Sequence, residues 1–220
     1  MIKRLIFDVD GTLIRGVNFS NSIQDTLEKF NLNSEENAQS FIRGIGTYEQ
    51  IYNNYNVSDY TKHMSMMLKT KLPQNFVPTL FESLKTCVPA DNSAIQQTIH
   101  NLSKKYELVL LTNYFTESQM NRLNNMGIGK YFKECYGEKL IKPNMNAYLN
   151  ACGEHKPHEC IMIGDDKELD ILRAKQAGLN TIFVNTQKKN VSSRLGVVVS
   201  HAKDITDKTI SMADEYEYVR

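Results

Sequence analysis

Two aspartates one residue apart, Asp8 and Asp10, stand in the stretch Leu5-Ile6-Phe7-Asp8-Val9-Asp10-Gly11-Thr12-Leu13. Crowded carboxylates repel, and each raises the other's pKa unless a cation intervenes. A hard divalent cation such as Mg²⁺, which favours oxygen ligands, relieves that repulsion. One carboxylate could then attack an electrophile while the other handles a proton. A plain turn uses the same residue types, since Asp, Gly and Thr are ordinary in turns and helix caps.

Three later groups invite the same question. Thr112-Asn113 offers a hydroxyl and neighbouring backbone N–H groups, suited either to phosphate oxygens or to a helix cap. In Lys142-Pro143, the proline suits the first position of a helix, which points Lys142 at that helix's entrance. A lysine there can neutralise a nucleophile or a bound phosphate; elsewhere it is an ordinary surface residue. Gly164-Asp165-Asp166-Lys167-Glu168-Leu169-Asp170 gathers three aspartates, with Asp166 and Asp170 four apart and so on one helical face. The helix dipole favours acids at such a start. A cap needs one acid rather than three, which favours Asp165 as a metal ligand with Asp166 and Asp170 in support. Cys152, His155, His158 and Cys160 crowd one segment in the manner of a zinc site. Cys152 is expected on a helix and Cys160 on a strand, so convergence is not expected.

The elements that must position these groups alternate. Apolar runs at 5–9, 108–111, 160–163, 181–184 and 197–199 read as buried strands, with a short strand at Cys135-Tyr136. Asp8, Thr112 and Asp165 each fall where such a run ends. Helical periodicity fills the segments between, at 95–105, 118–126, 144–152, 169–176 and 204–212. This alternation predicts an α/β fold, a parallel sheet covered on both faces. Ligands bind such sheets at the carboxyl ends of the strands.

From about Asn18 to Lys85 the pattern is helical throughout and predicts a separate small bundle. Ile23, Leu27 and Phe30 mark one helix face, and Ser34 caps a second helix. Gly44 and Gly46 are expected to interrupt that helix, with a further helix from Thr47 to Asn54. Another starts at Ser58, carries Met64, Met67 and Leu68, and ends before Pro73. Met64, Met66 and Met67 are expected to pack within the bundle.

The 220 residues suffice for a core plus a small insert. Lys and Arg number 26 against 25 Asp and Glu, a balance that argues against non-specific nucleic-acid binding. No apolar run approaches a membrane span of roughly 20 residues. The first strand begins too early to leave room for a signal peptide, and the four cysteines form no Cys-x-x-Cys pair. A cytoplasmic protein with reduced thiols is expected.

Taken in order, these motifs resemble the four of the haloacid dehalogenase superfamily. Asp8-x-Asp10-Gly11-Thr12 is similar to the first, Thr112 to the second, Lys142 to the third, and Gly164-Asp165-Asp166-x-x-x-Asp170 to the fourth. The resemblance covers essentially the whole chain. It implies a Rossmann-like three-layer parallel-sheet core, residues 1–15 and 88–220, with an inserted α-helical cap, residues 16–87.

The resemblance also implies roles. Asp8 is the nucleophile and forms an aspartyl-phosphate; Asp10 is general acid and then general base. Mg²⁺ is held by the Asp8 carboxylate, the Asp10 backbone carbonyl and Asp165. Thr112, the Asn113 backbone amide and Lys142 hold phosphoryl oxygens, and Asp166 or Asp170 orients Lys142 or metal-bound water. Dehalogenases in the superfamily lack an Asp at the position of Asp10, so its presence favours phosphoryl transfer. The phosphomutase branch often replaces the threonine that this chain keeps as Thr12. The implied activity is a Mg²⁺-dependent phosphatase acting on a small phosphorylated metabolite. A hexose-phosphate mutase and a non-catalytic phospho-ligand module are the alternatives. Arg43, in the glycine-broken segment, is placed either to meet an anionic part of the substrate or simply at a helix end. Neither the particular substrate nor the oligomeric state is encoded in these motifs.

Overall fold

A computed structural model describes residues 1–185 and 196–215. Six parallel strands form its sheet: β1 (Arg4–Phe7), β2 (Glu107–Leu111), β3 (Phe132–Tyr136), β4 (Cys160–Gly164), β5 (Asn180–Val184) and β6 (Val197–Val199). Their order is β3-β2-β1-β4-β5-β6. Residues alternate across a strand. Leu5, Phe7, Leu108, Leu110, Ile161 and Ile163 therefore join one buried layer, while Ile6, Val109, Leu111 and Met162 join the other. The four inner strands, β1, β2, β4 and β5, are buried on both faces because helices cover both, which is why they read as unbroken apolar runs, whereas the edge strands β3 and β6 are partly exposed. This is the expected Rossmann-like parallel core. The strand at Cys135-Tyr136 is longer than expected and starts at Phe132.

β1 lies between β2 and β4. β2 and β3 build outward on one side of β1 and β4, β5 and β6 on the other, a reversal that opens a crevice at the carboxyl edge. Asp8 extends β1 by one more ladder bond, its N–H donating to the Ile163 carbonyl at 2.9 Å. Thr112 and Asp165 each stand one residue beyond the ends of β2 and β4.

Between β1 and β2 come α1 (Ser20–Lys29), α2 (Glu35–Ile51), α3 (Val57–Met67), α4 (Phe76–Leu84) and α5 (Ser93–Ser103). The first four share an apolar cluster that includes Leu27, Phe41, Tyr48, Tyr60, Phe76 and Leu80. Phe115 and Ile141, from beyond β2 and β3, also enter it. The later helices are α6 (Thr116–Asn125), α7 (Met145–Cys152), α8 (Arg173–Gln176) and α9 (Asp207–Asp214).

α2 departs from expectation. Ser34 caps it as expected, accepting from the Asn37 N–H. It then runs unbroken through Gly44 and Gly46 to Ile51, so neither the glycine break nor a separate helix from Thr47 exists. Gly44 serves contact instead: a Cβ there would lie 2.7 Å from Met64 Sδ on α3. The two helices close on the missing side chain and buried Met64 fills the space as expected, whereas Met66, also expected to pack within the bundle, is 59% exposed. α3 also stops earlier than Pro73, at Met67, where Lys69 turns into the left-handed region at φ 51°.

Adding a side chain therefore acts oppositely at the two glycines. Gly46→Ala, which meets nothing within 4 Å, should stabilise by roughly 0.5–1 kcal/mol through helix propensity. Gly44→Val should destabilise by roughly 1–3 kcal/mol through overpacking. Urea denaturation of both variants measures the difference.

Candidate active site

Asp8, Lys142 and Asp170 meet at the carboxyl edge. Lys142 Nζ donates to Asp8 Oδ1 at 2.8 Å and to Asp170 Oδ1 at 2.7 Å. All three side chains are 90% or more buried. Carboxylate oxygens of Asp8, Asp165 and Asp170 lie within 4.8 Å of one another. Glycines make the approach possible. Gly11 adopts φ +85°, and a Cβ there would run into Asp165 Oδ2; one at Gly164 would run into the Asp170 carboxyl group. Thr12 donates its hydroxyl to Asp165 Oδ1 at 3.2 Å.

The lysine is held from behind as well as in front. Asn113 Oδ1 accepts from the Lys142 N–H and Asn113 Nδ2 donates to the Lys142 carbonyl, both at 2.8 Å. Pro143 is not the first residue of α7, contrary to expectation. Asn144 caps that helix by accepting from the Asn146 N–H, which leaves Pro143 outside it. The side-chain clamp of Asn113, rather than a helix entrance, fixes Lys142.

Asp166 and Asp170 do not share a face. The segment Lys167–Leu172 forms a π-helical turn before α8. Asp166 caps it, Oδ1 accepting from the Glu168 and Leu169 N–H groups at 2.8 Å, and is exposed. Asp170 is buried, with Oδ1 taken by Lys142 and Oδ2 by the Asp166 N–H at 3.0 Å. The cap reading thus describes the geometry of Asp166, while Asp170 joins the cluster.

Asp10 points elsewhere. Its Oδ1 accepts from Arg122 Nη1 and its Oδ2 from Gln119 Nε2, both at 2.7 Å. The Asp10 carboxylate is therefore outside the group of converging acids, which comprises Asp8, Asp165 and Asp170; the expectation for Asp10 concerned its backbone carbonyl. Gln119 Nε2 also donates to the buried Thr112 hydroxyl oxygen at 3.1 Å. Arg122 is 2% exposed and donates to Gln119 Oε1 and twice to the Cys87 carbonyl. Sequence reasoning missed both Gln119 and Arg122. The signal was present: α6 is mostly polar, so the face it buries must include polar residues three apart.

Arg43 lies on the exposed side of α2, bonded to Ser40 Oγ, and no loop carries it toward the site. Among the described residues, Cys152, His155, His158 and Cys160 form no metal-holding cluster, and all four cysteines are free.

Charge explains the proton balance. Burial is the largest influence on Asp8 and pushes its carboxyl up to about 8, with Asp170 adding to the rise and Lys142 opposing it. Burial works against the charge on Lys142, yet Asp170 and Asp8 outweigh it and raise its pKa. Asp165 is raised by burial and then by Asp170. Three carboxylates face one ammonium, so the cluster binds a proton to offset the excess negative charge. A divalent cation would offset it instead, and an all-carboxylate donor set is what a hard cation prefers.

The family model described as haloacid dehalogenase-like hydrolase matches residues 5–184. The chain belongs to that family. A glyceraldehyde 3-phosphate phosphatase from Methanothermobacter thermautotrophicus is 25% identical over 205 residues, spanning 85% of this chain and 87% of its own. The HAD-hydrolase YfnB from Bacillus subtilis, solved bound to magnesium, has a TM-score of 0.68 at 19% identity, covering 92% of this chain and 96% of its own. A 2-haloacid dehalogenase from Pseudomonas syringae pv. Tomato DC3000 reaches 0.70 at 19% identity, covering 96% and 99%. At those identities the two structures establish the fold alone. Membership makes this haloacid dehalogenase-like protein a hydrolase, and its cluster of acids fits a metal site.

Asp8 gives the metal-free protein a measurable pH signature. Between the ordinary carboxylate range and about 8, the folded state holds a proton that the unfolded chain has released. Stability contributed by that proton is complete at the acidic end and is lost as pH rises through the folded pKa. The stability of wild type minus that of Asp8→Asn should therefore fall as pH rises from about 5 to about 8. Urea melts in EDTA across that range read the slope; a flat difference would contradict the raised carboxyl.

Proposed function

We propose that this protein is a Mg²⁺-dependent phosphatase acting on a small phosphorylated metabolite. The observation that carries this reading is the buried Asp8–Lys142–Asp170 array beside Asp165, at the crevice between β2 and β4. The phosphatase relative from Methanothermobacter supports it over nearly the full chain.

In this reading Asp8 attacks phosphorus and the alcohol oxygen leaves. Asp10 gives that oxygen a proton, then accepts one from the water that cleaves the aspartyl-phosphate. Its bonds to Arg122 and Gln119 hold it clear of the acid cluster, so the two aspartates keep separate tasks. Lys142, the Thr112 hydroxyl and the Asn113 backbone N–H would hold phosphoryl oxygens as charge develops. Asp8, Asp165 and the Asp10 backbone carbonyl would hold Mg²⁺, whose charge lets an anionic nucleophile meet an anionic phosphate. Both oxygens of Asp170 are engaged, which suits it to positioning Lys142.

We read residues 16–87 as a cap over a core of residues 1–15 and 88–220. The separate apolar cluster of α1–α4 supports this. Residues 186–195 and 216–220 of that core lie outside the described residues. Four free cysteines fit a reducing cytoplasm. Among the described residues, no helix is long and apolar enough to cross a membrane.

The test is hydrolysis of para-nitrophenyl phosphate. Wild type with Mg²⁺ should release phosphate, and Asp8→Asn should lose at least about 10³-fold in kcat, as loss of a nucleophile does. EDTA should abolish turnover and Mg²⁺ restore it. Because the cation competes with a proton on Asp8, apparent Mg²⁺ affinity should strengthen as pH rises toward about 8. Wild type no faster than Asp8→Asn would leave a binding module. An isomer of a hexose phosphate in place of free phosphate would leave a mutase.

A further inference from the structure

A cavity of about 540 Å³ opens between the helical block and the sheet edge, with Asp10 and Asn113 in its wall. A second cavity, of about 480 Å³, lies against Lys142 and Pro143, and Asn113 and Glu49 border both. The two spaces thus adjoin, one beside Lys142 and one beside Asp10. They differ in chemistry. The Lys142 side is edged by Gly46, Gln50, Asn53 and Asn144. The Asp10 side is walled by Phe19 and Ile23 of the α1 region, Phe41, Ile42 and Ile45 of α2, and Leu84 of α4.

α2 supplies the contrast because it is unbroken. Ile42, Ile45 and Glu49 are three and four residues apart and share a face. Ile42 is 50% exposed, an apolar surface left open at this cavity rather than spent in the bundle's core. Arg43, one residue on, is turned away by the same helical geometry.

Several polar groups in this wall already have partners within the protein. Asn113 holds the Lys142 backbone, Glu49 accepts from the Tyr55 hydroxyl at 2.6 Å, and Asn18 accepts from the Ser20 N–H. Arg122 is the cationic side chain among the described wall residues, and its charge is matched by Asp10, with the Phe19 ring 4.9 Å away. A second phosphate or a carboxylate on the substrate would find no unmatched cation here and would meet Glu49. A polyhydroxy chain would give up water for few partners. An apolar body loses unfavourable hydration instead, at roughly 25 cal/mol per Å² buried.

We propose that the substrate is a phosphate monoester of an uncharged, apolar alcohol, branched aliphatic or aromatic, whose hydrocarbon body sits among Phe19, Phe41, Ile42, Ile45 and Leu84. The inference rests on the phosphatase reading and departs from the small polar substrate in the relative's name. The phosphoryl group lies on the Lys142 side and the ester oxygen faces Asp10. The hydrocarbon extends toward α2.

Four esters of primary alcohols separate the chemistry from the recognition: 2-phenylethyl phosphate, 3-methylbutyl phosphate, glyceraldehyde 3-phosphate and phosphoglycolate. Wild type with Mg²⁺ should show kcat/KM at least about tenfold higher for the first two, the range that pocket contacts alone supply. Ile42→Glu, at a half-exposed position, should collapse that ratio toward one, chiefly through KM for the apolar esters. Phosphate released from all four without an apolar preference, or preferentially from the polar pair, overturns this inference and leaves the phosphatase intact. A wild-type preference that Ile42→Glu leaves unmoved, in a variant that melts as wild type does, removes the assigned wall. Release from none, with Asp8→Asn indistinguishable from wild type, overturns both readings.

Discussion

One ammonium between two buried carboxylates is the constraint on which the rest of the site depends. Lys142 bridges Asp8 and Asp170 with almost no solvent to share the charge. Such a group is weak evidence for stability, because desolvation consumes much of what attraction returns. Its surroundings are nevertheless built for it. Asn113 grips the lysine's backbone on both sides, and Gly164 leaves room for the Asp170 carboxyl group. The Tyr148 hydroxyl donates to the Leu169 carbonyl at 2.5 Å and pins the turn that carries Asp170. A protein that wanted only a packed edge would place apolar side chains here, so the ionic array is best explained by a task that needs charge.

A second cation keeps the two early aspartates apart in character. The Asp8 side chain is 10% exposed and crowded by other acids, whereas the Asp10 side chain is 42% exposed and paired with Arg122. Environments that differ this much suit two identical side chains to different duties, as the proposed roles of nucleophile and proton carrier require. Arg122 also reaches the Cys87 carbonyl, where the chain returns from α4 to the sheet. Through Arg122 the Asp10 carboxylate is thus tied to the connection between helical block and core.

Where apolar runs end was legible, because strands buried on both faces write themselves as continuous hydrophobic residues. Asp8, Thr112 and Asp165 could therefore be placed at one sheet edge from sequence alone. Contacts between side chains distant in sequence were less legible. Nothing in Asn113 announces a backbone clamp on a lysine 29 residues later, and no local rule links Gln119 or Arg122 to Asp10. Asp166 and Asp170 obey helical spacing on paper, but a π-helical turn sends one to solvent and one to the interior. Gly44 shows the same limit from another direction. As a local signal, glycine breaks a helix; in place, it lets α2 approach Met64.

That close approach has a functional reach beyond packing. Because α2 continues past Gly44, residues on its inward face line up along one axis. The axis begins at a strongly apolar cavity beside Asp10 and ends at a less apolar one beside Lys142. Strand ends hold the charged groups on a rigid sheet, where small displacements would cost most. In the proposed reading a helix of the α1–α4 cluster carries the surface that meets whatever is attached to the reacting group. Altering Ile42 or Ile45 changes that surface without disturbing a single bond of the Asp8–Lys142–Asp170 array. In the proposed reading chemistry and selectivity reside on different elements, and Asn113 and Glu49 border both cavities.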